Sequence, residues 1–124
     1  MKGKITIILI LLATGCRNAN SDRGKPVEGV YLNHFKTEYY EGMDTIRIIP
    51  INAAAGTYRY IRSIGYKRIS VGVAGPNQYT VERSTCVFNP GTLQLSEERY
   101  GRVYSLSGDG NQLFSGNSIY KRIQ

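Results

Sequence analysis

From Gly29 onward, apolar and polar residues alternate with a period of two over short runs, and the runs are separated by clusters of Gly, Pro, Asn and Asp. That period puts successive side chains on opposite faces of an extended chain, so it predicts β-strands. The first runs from Gly29 to Phe35 (GVYLNHF) and ends in the polar stretch from Lys36 to Gly42. In the second, Asp44 to Ile51, Ile46 and Ile48 share one parity and Ile49 and Ile51 take the other, which predicts a bulge near Ile48 and Ile49 with Pro50 at a strand end. Asn52 to Gly56 is a loop. Thr57 to Gly65 and Tyr66 to Val71 read as a hairpin pivoting near Gly65, followed by a looser turn marked by Gly72, Gly75, Pro76 and Asn77. Gln78 to Phe88 is the longest predicted strand, and Asn89-Pro90-Gly91-Thr92 holds Pro and Gly where a type II turn requires them. Shorter strands are expected over Thr92 to Arg99, Arg102 to Leu106, around Leu113 and Phe114, and over Ser118 to Ile123.

No stretch carries apolar residues at helical spacing over a useful length. About eight or nine short strands, roughly ten residues apart, predict an all-β antiparallel domain. Short turns between consecutive strands make an up-and-down meander, closing to a barrel or half-barrel, the simplest topology. An eight-stranded barrel is either filled by its own side chains or left with room for one small ligand, so scaffold and binder both stay open.

The N-terminus follows a different pattern. Lys2 and Lys4 precede an apolar run from Ile5 to Leu12, then Ala13, Thr14 and Gly15, then Cys16. A positive start, a short apolar core and small residues are the order of a secretory signal peptide, and the run is too short to span a bilayer, which takes about 20 apolar residues. A Cys directly after the small residues resembles the lipobox of bacterial lipoproteins, with cleavage between Gly15 and Cys16 and lipid on the Cys16 thiol. Ala13 departs from that pattern, which prefers Leu, Val or Ile three residues before the Cys. The alternative is an ordinary cleaved signal peptide with an incidental Cys. Residues 16–27 are polar, contain Gly24 and Pro26, and read as a flexible tether, which leaves a single β domain over residues 28–124. Arg17, where sorting to the inner membrane uses Asp, points to the outer membrane, and the basic tether points to its periplasmic side.

The whole chain of 124 residues carries a net charge of +7; removing residues 1–15 takes Lys2 and Lys4 with it and leaves +5. With Cys16 acylated, Cys86 has no disulfide partner and reads as a small buried hydrophobe. Ten tyrosines and 41% hydrophobic residues exclude a disordered chain.

The order G-x-Y at Gly29 and Tyr31, D-T-[IL]-x-I over Asp44 to Ile48, a Tyr-rich run from Tyr58 or Tyr60 to Ile69, and G-x-x-x-Y-x-x-I over Gly116 to Ile123 resembles a group of small lipoproteins of Bacteroidota-type bacteria. The resemblance covers nearly all of the domain. It departs at Thr85-Cys86-Val87, where the group has a Trp-Thr pair. It implies one lipid-anchored β-domain and brings no mechanism with it.

The sequence offers little for catalysis. His34 is the single histidine, no G-x-S-x-G elbow accompanies it, and one His with one usable Cys cannot build a zinc site. Glu97 and Glu98 are adjacent in a strand and point to opposite faces. No cofactor is expected, and the chain reads as no enzyme. The feature above background is the segment from Thr45 to Val81, with Arg47, Tyr58, Arg59, Tyr60, Arg62, Tyr66, Lys67 and Arg68 and no acidic residue. Such a surface suits an envelope protein or an anionic glycolipid; export makes nucleic acid an unsuitable partner. Opposite parities within the segment let about half of these side chains share a face at most. Three functions are weighed: a non-enzymatic accessory or interaction module, favoured here; a lipocalin-like barrel holding an anionic or amphipathic envelope molecule, which predicts an internal cavity and which a lumen of tyrosines with an unpaired Arg would support; and, last, an enzyme, for which the chain offers no coherent nucleophile, base or metal set.

Overall fold

A computed structural model describes residues 26–124. The signal peptide over 1–15, the cleavage and lipidation positions Gly15 and Cys16, and the tether up to Lys25 lie outside the described residues. The domain is a closed antiparallel barrel of eight strands in sequence order: β1 (Gly29–Lys36), β2 (Tyr40–Asn52), β3 (Thr57–Ser70), β4 (Val73–Asn89), β5 (Gln94–Glu97), β6 (Val103–Leu106), β7 (Gln112–Ser115) and β8 (Ser118–Arg122). Each strand pairs with the next, and β8 returns to β1 through the Tyr31–Arg122 and Leu32–Lys121 pairs. Among the described residues, the one helical element is a 3₁₀ turn over Ala53–Ala55. The expected all-β meander thus closes fully.

Three local expectations fail. The chain does not pivot at Gly65: β3 runs through it, with Gly65 paired to Met43 on one side and Tyr79 on the other. The turn is at Val71 and Gly72, both with positive φ (52° and 76°), the conformation of a two-residue hairpin whose twist matches its strands. The residues expected to form a looser turn, Gly75 to Asn77, lie inside β4 instead. Nor does a bulge fall at Ile48 and Ile49. Register holds through Ile49–Arg59 and shifts between Pro50 and Asn52, because Ile49 and Ile51 stay on the outer face and are exposed.

The strands divide into a long half and a short half. β2 to β4 have 13, 14 and 17 residues, whereas β5 to β8 have four or five. Only β5's Gln94–Glu97 pairs along β4, at Cys86–Asn89, so the rest of the long strands continues past the barrel rim as a sheet. The β3–β4 hairpin therefore overhangs one end by roughly 25 Å, at about 3.3 Å per residue beyond Arg62. The short strands also bear on the membrane, since a bilayer-spanning barrel needs about 9–11 residues per strand. β5 to β8 cannot cross one.

Inward positions follow a single parity. Tyr31, Ile46, Ile48, Tyr58, Tyr60, Cys86, Leu95, Tyr104, Leu106, Leu113 and Tyr120 form the core, and Val27 joins them from the segment before β1. Packing thus begins at Pro26 and Val27, within the stretch read as tether. The Tyr31 hydroxyl donates to the Val27 carbonyl (2.6 Å). Arg122 stitches this entry point shut: it donates to the carbonyls of Gly110 (2.7 Å), Glu28 (2.6 Å) and Pro26 and to the Tyr31 hydroxyl (2.6 Å), with its guanidinium over the Tyr31 ring.

Candidate functional site

Beyond the entry end, the lumen is closed by aromatic rings. The Tyr60 and Tyr104 hydroxyls share a 2.6 Å hydrogen bond, and the Tyr104 and Tyr120 rings meet edge to face. Burial pushes the Tyr60, Tyr104 and Tyr120 phenols above their ordinary pKa, so all three are neutral at physiological pH. Nearer the overhanging sheet, the inward positions turn ionic. Arg62 Nε donates to both Asp44 carboxylate oxygens (3.0 and 3.1 Å), and Nη2 adds a 2.7 Å bond to Oδ2. Its Nη1 reaches Glu82 Oε1 (3.2 Å), directly opposite in register. Arg102 spans both Glu82 oxygens (3.1 and 3.2 Å), and the Tyr120 hydroxyl donates to Asp44 Oδ2 (2.7 Å). Donating these hydrogen bonds to Asp44 raises the Arg62 pKa further above its usual value. Two carboxylates meet two guanidiniums, so the cluster is neutral, and every fully buried side-chain N or O among the described residues has a partner.

The middle of the lumen is thus occupied by its own rings and ion pairs, and neither Arg62 nor Arg102 is left unpaired. At the opposite end a cleft of about 750 Å³ lies between Val27, Tyr58, Phe88, Leu93 and the turn at Gly108. A second groove, about 620 Å³, lies on the outer face of the β1–β4 sheet, with Gly65 as its floor and His34, Met43, Arg47, Lys67 and Tyr79 around it. Register puts these side chains together: His34, Met43, Gly65 and Tyr79 form one cross-strand row on the outer face. Gly65 keeps the floor of the groove low: a Cβ there would stand in ordinary contact, 3.7 Å, with Tyr79 Cδ2.

The residues of the basic, Tyr-rich segment separate across the barrel wall. Tyr58 and Tyr60 are buried in the core and Arg62 is tied into the ionic cluster. Tyr66 lies on the inner face of the overhang, edge to face with Tyr40, and Arg68 shares that parity. Arg47, Arg59 and Lys67 are on the outside, and of these Arg47 and Lys67 line the groove. Cys86 is buried, its thiol pushed up to about 12 chiefly by desolvation. His34 is on the outer face, so the two cannot meet across the wall.

No family model, curated protein or solved structure matches this chain.

Two features escaped sequence reasoning. Asp44 and Glu82 partner Arg62 from neighbouring strands, a pairing that exists only once the register is known. Glu97 is buried at 2% exposure. Burial alone would raise its pKa, yet hydrogen bonds from the Ser84 hydroxyl and from the backbone N–H groups of Tyr100, Arg99 and Arg102 overcome this and lower it. Its oxygens accept from Arg99 N (2.6 Å) and Tyr100 N (3.0 and 3.1 Å), so the carboxylate pins the β5–β6 turn. Among the described residues, no group of three His, Cys, Asp or Glu side chains is placed to hold a metal ion.

Proposed function

We propose that this chain is a lipid-anchored cell-envelope protein, held through Cys16 at the periplasmic side of the outer membrane, whose barrel serves as a non-enzymatic interaction module. The observation that carries the reading is the order Lys2, Lys4, the apolar run Ile5 to Leu12, Ala13-Thr14-Gly15 and Cys16. The barrel fits the same reading in two ways. Tyrosines and closed ion pairs occupy the middle of the lumen and leave no unpaired Arg there for an anion, which favours recognition at the outer surfaces; the cleft of about 750 Å³ at the entry end is where a lipocalin-like guest would sit. The chain also enters the barrel at Pro26 and Val27, the end opposite the β3–β4 hairpin, so a tether there directs the overhanging sheet away from the bilayer. An envelope protein or an anionic glycolipid is the class of partner this surface suits.

Intact-mass analysis of membrane-fraction protein, beside a Cys16→Ala variant, tests the anchor. A chain beginning at Cys16 with an added diacylglyceryl mass, and a variant that is soluble or uncleaved, is the expected result. Soluble, unmodified wild type would overturn it.

A further inference from the structure

We propose that the outer-face groove over Gly65 binds an anionic saccharide, a sugar chain bearing carboxylate or phosphate groups. This deepens the interaction-module reading by naming the partner's chemistry, and it does not depend on the lipid anchor. At about 620 Å³ the groove lies within the roughly 300–1,000 Å³ typical of small-molecule sites.

Three observations define the occupant. First, Tyr79 stands 72% exposed beside a glycine floor, so one face of its ring is a free platform. An aromatic ring with an apolar face and a polar tip suits a ring-shaped, hydroxyl-covered ligand. Second, Arg47 and Lys67 line the same groove, and Ser63 supplies a short neutral hydroxyl. Glu41 also lines the groove, but it sits between Lys36 and Lys67 in the cross-strand row, so the local balance stays positive. Third, the groove lies on a sheet face, where the backbone groups of β2, β3 and β4 are already joined in ladders. An extended peptide would find no main-chain partners there, unlike a peptide added at a sheet edge. Recognition must come from side chains alone, which suits a polyhydroxylated anion. The concave shape likewise suits a chain or ring better than a flat membrane surface.

The test is titration of the full-length chain, held in neutral detergent micelles, with tetragalacturonate, its methyl-esterified neutral form, and glycerophosphoglycerol, the phosphatidylglycerol headgroup without acyl chains, read by chemical-shift perturbation and calorimetry. Tetragalacturonate is expected to bind, perturbing the Gly65 and Tyr79 amides, and the neutral form to bind more weakly. Tyr79→Ala and Arg47→Gln, both outside the core, should each weaken binding by about tenfold, equivalent to about 1.4 kcal/mol. Gly65→Ala, which fills the floor without meeting backbone, should weaken it too. No binding at millimolar tetragalacturonate, binding unchanged in all three variants, or preferential binding of glycerophosphoglycerol would each overturn the proposal. The lipid anchor is read separately by mass, so the two readings fail independently.

Discussion

Inward positions at the two ends of this lumen follow the same parity but hold opposite chemistry. Where the chain enters, Val27, Ile48, Tyr58, Leu106 and Leu113 are buried apolar side chains packed against one another. Toward the overhang, Asp44, Arg62, Glu82 and Arg102 occupy the corresponding places with four charges. Apolar packing tolerates many arrangements of similar volume. A charged cluster does not, because a register slip of one residue would send Arg62 outward and leave Asp44 and Glu82 buried without it. The apolar end supplies stability, and the ionic end selects one pairing of β2, β3 and β4.

That contrast is sharpest in Asp44→Ala. Removing one carboxylate from a cluster with Arg62 at 18% side-chain exposure strands a charge and the Tyr120 hydroxyl. Denaturant unfolding should register a loss of about 4 kcal/mol, and replacing Asp44 and Arg62 together with leucine should recover most of it. A loss below about 1 kcal/mol would erase the distinction between the ends. Leu113→Ala, at the apolar end, should cost about 3 kcal/mol through lost burial and a cavity, with no dependence on salt.

The pH limits sharpen the comparison further. Glu97 has a folded-state pKa below its ordinary value of about 4.3, so its contribution is present above that pH and is lost as pH falls through the folded value. Glu97→Gln should cost about 1.5 kcal/mol at neutral pH and flatten the acid limb of the stability curve. In the alkaline direction the sign reverses. Cys86 and Tyr31 are held neutral, each with a folded pKa near 12, so unfolding releases their protons at lower pH. Thermal unfolding followed by circular dichroism should show stability falling from about pH 9 to 12, by at most about 1.4 kcal/mol per pH unit for each group. Cys86→Ala should lessen that slope and leave the acid limb unchanged.

Much of the barrel was legible because period-two alternation survives in Asp44-Thr45-Ile46-Arg47-Ile48 and in Leu95 and Tyr104, whose partners are one turn away. The β3–β4 hairpin was not. Its turn uses Val71 in a left-handed conformation that β-branched residues rarely adopt, while Gly65, Gly75 and Pro76, ordinary turn markers, sit within strands. The ionic cluster was hidden for another reason. Arg62 read as one of a surface series because its acid partners lie 18 and 20 residues away in sequence. The groove likewise depends on which residues of four strands fall opposite Gly65, which alternation alone does not fix.

Arg122 joins the last strand to Pro26, Glu28 and Tyr31 across 91 to 96 residues of chain. The ring therefore has no closed form until β8 has met β1, and closing so long a loop is slow. Without its last strand the domain would be an open sheet with two unpaired edges, at β1 and β7, rather than a smaller barrel.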